Sequence, residues 1–145
     1  MRRNGYCFHV PISDYGSEPF VTDIDKATEQ NTNYRAALWT GEHLQLTLMS
    51  IPAGGEIGLE MHPNTDQFLQ IESGNGMSMM GSAENRLNYQ RHVSKGYAVF
   101  VPAGTWHNIV NIGSSPLKLY SVYAPPNHPH GTVQSTKRIA DMEGY

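Results

Sequence analysis

The segment Gly96-Tyr-Ala-Val-Phe-Val-Pro-Ala-Gly-Thr-Trp-His-Asn-Ile-Val-Asn-Ile112 decides the fold of this chain. It contains two apolar runs, Ala98 to Val101 and His107 to Ile112, which are separated by the bend Pro102-Ala-Gly104. Short apolar runs bounded by glycine and proline are typical of β-strands joined by a tight turn. The segment therefore predicts two successive strands, with His107 at the beginning of the second.

Similar runs are found through most of the chain. Leu44, Leu46 and Leu48 alternate with other residues, as expected of a strand with one buried face. Further strands are predicted at Gln67 to Ile71 and at Leu117 to Ala124, and turn sequences rich in Gly, Pro, Ser and Asn separate them. Strands do not alternate with long helices, so the pattern favours a sandwich or barrel.

Length and composition agree with one all-β domain. The chain has 145 residues, only 16% of them charged, with 14 glycines and 9 prolines. Such a length is close to the commonest domain size, and glycine and proline favour turns over helices. We expect an arm over residues 1–33 with a short helix from about Thr22 to Gln30, a barrel over residues 34–124 and a tail over residues 125–145.

Charge and hydropathy limit the classes of partner. The net charge of -3 at pH 7 leaves no basic stripe, so we expect neither nucleic acid nor a membrane surface as partner. No apolar run approaches the ~18 residues that span a bilayer, and the first residues lack the apolar core of a secretion signal. We therefore expect a cytoplasmic protein. Cys7, the single cysteine, is expected to be an inert thiol.

Four side chains are candidates for one metal site. Residues two apart on a strand point to the same face, so Glu60 and His62 can reach one point together. The turn Pro63-Asn-Thr-Asp66 would bring Gln67 alongside them, and His107 would supply a second imidazole. Imidazole and oxygen ligands without thiolate suit a divalent Mn, Fe, Co, Ni or Zn ion. Two nitrogens and two oxygens leave one or two coordination positions open for a reacting molecule if the metal is five- or six-coordinate.

Each of these residues has an alternative role. His62 and His107 can be hydrogen-bonded core histidines, although a buried carboxylate at Glu60 is costly without a cation or hydrogen bonds. Gln67 can bind a metal-bound water instead of the metal. In the proline-rich tail, His128 and His130 are expected to be solvated or to cap a strand.

The segment that contains His107 resembles a motif of the cupin superfamily, whose members are small jelly-roll barrels. That motif, Gly-x5-Pro-x-Gly-x2-His-x3-Asn, is matched without a gap by Gly96, Pro102, Gly104, His107 and Asn111. The resemblance implies an all-β cupin jelly-roll barrel with short N- and C-terminal extensions, and it implies a homodimer.

The first cupin motif is present in an altered form. Gly-x5-His-x-His-x3-4-Glu-x6-Gly aligns as Gly54-x5-Glu60-x-His62-x4-Gln67-x6-Gly74. Glutamate replaces the first histidine of the motif, and glutamine replaces its glutamate. The motif therefore still carries one negative charge, now at Glu60. This variant resembles a group of single-domain cupins, some of which are labelled mannose-6-phosphate isomerase.

Three functions are compatible with such a site. The first is a metal-dependent isomerase-type proton transfer on a small polar substrate, either sugar-like or a hydroxy-carbonyl compound. The second is a non-haem Fe(II) oxygenase, because Glu60, His62 and His107 are two histidines and one carboxylate. The third is a non-catalytic module that binds a metal or ligand. A base for the first function is available nominally at Tyr120, Tyr123, His43 or Lys118, and the sequence does not choose among them.

Overall fold

Strands dominate the part of the chain that the structure, a computed structural model, describes, which is residues 9–144. Residues 1–8, with Cys7, and Tyr145 lie outside the described residues, so the expectation for Cys7 stays a prediction. The elements in chain order are α1 (Ile24–Gln30), β1 (Arg35–Thr40), β2 (Gln45–Ile51), β3 (Asp66–Ser73), β4 (Asn75–Gly81), β5 (Tyr89–Ser94), β6 (Ala98–Val101), β7 (Trp106–Asn111), β8 (Leu117–Ala124), β9 (Val133–Gln134) and α2 (Lys137–Glu143).

The strands form two antiparallel sheets. The larger sheet has the order β6-β3-β8-β2-β1-β9, and the smaller has the order β5-β4-β7. Strands β6 and β8 have the bounds that the sequence predicted. The all-β prediction is confirmed. The division of the chain at residues 33 and 124 stays a prediction, although β9, from the predicted tail, pairs with β1.

The interior of the large sheet has an apolar part and a polar part. Alternate residues of β3 are buried, and Gln67 and Leu69 lie opposite Tyr123 and Ser121 of β8. Leu69 belongs to the main apolar core. The polar side chains Gln67, Ser121 and Tyr123 therefore share an inner surface with this core. The core also includes Met49, Ile51, Ile71, Ile109, Leu117 and Leu119.

Helix α1 begins one residue later than the sequence predicted. The side chain of Asp23, not Thr22, accepts a hydrogen bond from the Lys26 amide at 3.1 Å and caps the helix. The helix lies against β8 and β3 on the outside of the large sheet. Each of the two described helices has seven residues, so neither has the length to cross a bilayer.

Asp14 fastens the N-terminal arm to the barrel and to the tail. Its Oδ2 accepts hydrogen bonds from the Thr40 hydroxyl at 2.6 Å and from the Gly131 amide at 2.9 Å. Its Oδ1 accepts the Gly16 amide at 3.0 Å. Burial raises the pKa of Asp14, but the hydrogen bond from Thr40 and those from the two amides outweigh burial and hold the pKa below 3.8. One buried carboxylate thus connects three parts of the chain.

We expect Asp14→Asn to lower the free energy of unfolding by about 1–3 kcal/mol, because an amide cannot accept all of these hydrogen bonds. A carboxyl group whose folded pKa lies below its unfolded pKa stabilises the fold above the unfolded value. That contribution is lost as the pH falls through the folded pKa. The difference in the free energy of unfolding between variant and wild type should therefore narrow below pH 3.8. Urea denaturation at several pH values measures this difference.

Asp141→Asn is the matched control for Asp14→Asn. Asp141 is exposed on α2 and pairs with Lys137 at 2.9 Å. Its loss should change the unfolding free energy by less than about 0.5 kcal/mol. Equal effects of the two substitutions would contradict the role given to Asp14.

The outer face of the large sheet carries exposed aromatic rings. Phe100 is 68% exposed, and its ring centroid lies 5.1 Å from that of Phe68 on the neighbouring strand. Exposed apolar groups of this kind are candidates for subunit contacts. The homodimer stays a prediction, and sedimentation at micromolar concentration tests it.

Candidate metal centre

Backbone pairing holds Glu60 opposite His107. The Glu60 amide donates to the His107 carbonyl at 3.0 Å, and the His107 amide donates to the Glu60 carbonyl at 2.9 Å. This pairing is an isolated bridge, so the prediction that Glu60 and His62 lie on a regular strand is wrong. The ladder is interrupted because the Gly58 amide binds the side chain of Asn108 at 2.9 Å instead of a backbone carbonyl.

The loops of the two motifs are tied to each other. The Gly104 amide donates to the His62 carbonyl at 2.8 Å. The Ala103 amide donates to Oδ1 of Asp66 at 2.8 Å. The bend before His107 therefore fixes the backbone that carries His62.

Three of the four predicted side chains converge. Oε1 of Glu60 lies 3.4 Å from Nε2 of His62 and 3.8 Å from Nε2 of His107. The ligand atoms of the three residues all lie within 4.8 Å of one another. His107 is buried, and Glu60 and His62 are mostly shielded from solvent. The group presents one carboxylate and two imidazoles to a single point.

The hydrogen bond of His107 determines which nitrogen faces the group. Its Nδ1 lies 2.9 Å from the Thr105 carbonyl. A carbonyl can only accept, so Nδ1 carries the hydrogen and Nε2 presents a lone pair toward Glu60. A metal-binding histidine is oriented in this way by a carbonyl on its other nitrogen.

Gln67 lies on the same inner surface. Its Nε2 donates to the Ser121 hydroxyl at 2.8 Å, and its Oε1 is buried without a hydrogen-bond partner. Gln67 pairs with Tyr123, whose ring meets the His62 ring edge-on at 5.8 Å between centroids. The amide oxygen is thus available to a ligand, and direct coordination by Gln67 stays a prediction.

Buried polar atoms without a hydrogen-bond partner include one from each predicted ligand. An unsatisfied buried polar atom is costly, and native structures contain few of them. A divalent cation would satisfy the three converging atoms of Glu60, His62 and His107 together, so the donor set fits a metal. The four atoms are Glu60 Oε1, His62 Nε2, Gln67 Oε1 and His107 Nε2.

The electrostatics of the site agree with this fit. Burial raises the pKa of Glu60, but the neighbouring His62 imidazole and the positive charge of Arg35 outweigh burial and lower the pKa below its ordinary value. Burial lowers the pKa of His107. An ionised carboxylate and a neutral imidazole are the protonation states that bind metals.

Arg35 is part of this interior, although it was not predicted as a residue of the site. It is 2% exposed, and its Nη2 lies 3.6 Å from Oε2 of Glu60. Its Nη1 donates to Oε1 of Gln134 at 2.8 Å. The signal that could have found it is a single charge within Tyr34-Arg-Ala-Ala-Leu38, where every other residue is apolar.

His128 is buried in the interior, so the expectation that it is solvated is wrong. The side chain of Gln45 fixes its backbone, accepting the His128 amide at 2.9 Å and donating to its carbonyl at 2.9 Å. Its ring packs edge-on against Tyr123, with centroids 5.1 Å apart, and burial lowers its pKa to about 3. His130 is exposed, as predicted, and its Nε2 lies 3.3 Å from Asp14.

Only one of the four nominal bases is buried in the interior. Tyr123 is fully buried, and its hydroxyl has no hydrogen-bond partner among the described residues. Lys118 instead donates to carbonyls at the end of α1, and His43 is 86% exposed. Tyr120 packs against Phe68 on the outer face.

An antiparallel jelly roll whose two motif loops present a carboxylate and two imidazoles defines a cupin. The sequence profile described as "Cupin domain" matches residues 47–123. The chain belongs to this family.

Relatives of known sequence and structure agree with this assignment. YrkC of Bacillus subtilis is 60% identical over 129 residues, which cover 89% of this chain and 69% of that protein. L612 of Acanthamoeba polyphaga mimivirus is 35% identical over 119 residues, which cover 81% of this chain and 72% of that protein. The crystal structure of BH2720 from Bacillus halodurans superposes with a TM-score of 0.90 at 55% identity, covering 90% of this chain and 99% of that one.

Proposed function

We propose that this cupin is a metal-dependent enzyme that transfers a proton on a small polar substrate, in an isomerase-type reaction on a sugar-like or hydroxy-carbonyl compound. The observation that carries the proposal is the convergence of Glu60, His62 and His107 within 4.8 Å. Gln67 adds an unpartnered amide oxygen to the same interior.

The residues of the site divide the work of such a reaction. Glu60, His62, His107 and Gln67 would hold the ion, and a divalent ion supplies Lewis acidity that polarises a carbonyl and stabilises an enediolate. Tyr123 Oη and His128 Nδ1 are buried, have no hydrogen-bond partner among the described residues and can hold or move a proton. The buried surroundings keep bulk water from the reacting atoms.

Turnover by metal-loaded protein tests this proposal. Protein loaded separately with Mn, Fe, Co, Ni and Zn should convert at least one member of a panel of aldoses, ketoses and hydroxy-carbonyl compounds, and chelation should abolish the conversion. No turnover with any metal would contradict the catalytic proposal. Retained ligand binding without turnover would favour a non-catalytic binding module.

Tyr123→Phe should lower kcat by about 100-fold, because proton transfer by a positioned side chain typically contributes that much or more. Tyr120→Phe removes the same hydroxyl from the outer face of the same strand and should leave kcat unchanged. Steady-state kinetics of both variants decide the matter. Similar kcat values for wild type and Tyr123→Phe would remove Tyr123 from proton transfer.

A second candidate function is an Fe(II) oxygenase. It is favoured by the convergence of two histidines and one carboxylate, while the Gln67 amide is partly engaged by Ser121. Anaerobic loading with Fe(II), followed by measurement of oxygen consumption on addition of substrate, distinguishes the two. Zinc as the native metal would exclude the oxygenase.

A further inference from the structure

The guanidinium of Arg35 has one edge that makes a hydrogen bond and one edge that makes none. Nη1 donates to Gln134, whereas Nε and Nη2 are buried and have no acceptor within hydrogen-bonding distance among the described residues, although the Tyr123 hydroxyl neighbours the guanidinium. The nearest carboxylate oxygen, Oε2 of Glu60, lies 3.6 Å from Nη2, beyond hydrogen-bonding distance. Nε and Nη2 form the edge that binds the two oxygens of a carboxylate side by side.

A divalent ion bound to this interior would leave it with an excess of positive charge. Within residues 9–144, Glu60 is the carboxylate that pairs with Arg35, and its other oxygen, Oε1, faces His62 and His107. The charges of Arg35 and Glu60 cancel, so a divalent ion would add two positive charges without a counter-charge. A buried excess of positive charge favours an anionic ligand.

The unpartnered atoms of this interior separate into acceptors and donors. The acceptors are the four lone pairs of the metal centre. The others have a hydrogen to donate, or can have one, and are Arg35 Nε, Arg35 Nη2, Thr47 Oγ1, Tyr123 Oη and His128 Nδ1. Asn127 Nδ2 lies 3.4 Å from Nε2 of His128, an arrangement in which Nε2 accepts and Nδ1 carries the hydrogen. A ligand that fits this interior therefore offers acceptors to the Arg35 side.

We propose that Arg35 binds the carboxylate of a small 2-hydroxy or 2-keto acid, whose neighbouring oxygen faces Glu60, His62 and His107. This inference rests on the metal centre of the proposed function and narrows its substrate class from small polar molecules to small organic acids. A single guanidinium edge suits a planar carboxylate, whereas a phosphate dianion has a third oxygen and more charge to satisfy.

A cavity of about 320 Å³ reaches Arg35 and Glu60 from the side of α2. Its lining also includes Lys137 and Asp141, which pair with each other at 2.9 Å. The volume is within the range of small-molecule sites, so a small organic acid fits within it.

Binding of matched acid and amide ligands tests the proposal. Calorimetric titration of Co²⁺-loaded protein should show lactate binding at least tenfold more tightly than lactamide, its neutral analogue. Arg35→Gln should remove this preference, while elemental analysis finds unchanged cobalt. Lys118→Gln is the control, because Lys118 is a basic residue on β8 that binds carbonyls at the end of α1, outside the barrel.

Several outcomes would overturn the carboxylate site. They are equal affinities of wild type for lactate and lactamide, tighter binding of inorganic phosphate than of lactate, and an unchanged preference in Arg35→Gln. Loss of cobalt in Arg35→Gln would assign Arg35 to positioning Glu60 instead. If that variant does not fold, the wild-type comparison alone decides. Preference for lactate without turnover of any acid would support the site and contradict the catalytic proposal, so the two failures are distinguishable.

Discussion

His107→Ala is expected to remove the metal from the protein and to reduce turnover to background. The Nε2 lone pair of His107 is already oriented by the bond from Nδ1 to the Thr105 carbonyl, so its loss removes a fixed ligand. Residues that only orient a ligand contribute about 10–100-fold to metal affinity, so loss of the ligand should cost about 100-fold or more. Elemental analysis and calorimetric titration with Zn²⁺ or Mn²⁺ measure the effect.

The control for this variant is His43→Ala. His43 is an exposed histidine that precedes β2 and lies outside the interior. It should leave metal content and turnover as in wild type, whereas circular dichroism should show both variants folded. Wild-type metal affinity in folded His107→Ala would remove His107 from the site.

Gly74→Ala is expected to lower the free energy of unfolding by about 2–5 kcal/mol. Gly74 joins β3 to β4 with φ +94°, and a Cβ there would lie 2.8 Å from the Pro116 carbonyl oxygen and 2.9 Å from Cα of Leu117. A side chain at positive φ costs about 1–2 kcal/mol. Overpacking typically adds about 1–3 kcal/mol, and here the neighbours are backbone atoms that cannot rotate away.

Gly96→Ala separates the two causes. Gly96 has φ +90°, close to that of Gly74, but a Cβ there meets no atom within 4 Å. Its substitution should cost only the conformational part, about 1–2 kcal/mol. Urea denaturation of both variants measures the difference. Equal losses of unfolding free energy in Gly74→Ala and Gly96→Ala would contradict a clash between a Cβ at Gly74 and the β7–β8 connection.

The strands that the sequence predicted correctly are those with clear apolar alternation. β6 and β8 combine β-branched and aromatic residues with regular burial, so pattern and structure agree. β4, Asn-Gly-Met-Ser-Met-Met-Gly, was not predicted, because glycine and asparagine disfavour strands and methionine has no strong preference for them. β5 was missed because four of its six residues are exposed. Pairing with β4 makes it a strand, and pairing is not visible in the sequence.

The candidate site was predictable in part. The spacing of Glu60, His62 and His107 predicted their convergence, although an isolated bridge and not a regular strand holds Glu60 opposite His107. Arg35 and His128 were not predicted as part of the interior, since each reaches it through distant partners. Gln134 holds the guanidinium of Arg35 from 99 residues away, and Gln45 holds the backbone of His128 from 83 residues away.

The metal centre is tested most directly by anomalous diffraction at a transition-metal absorption edge, on crystals of protein purified without added metal. We predict one strong anomalous peak, about 2.0–2.2 Å from Glu60 Oε1 and from Nε2 of both His62 and His107. A well-ordered interior without a peak, in which Glu60 binds His62 and His107 only by hydrogen bonds, would contradict the account.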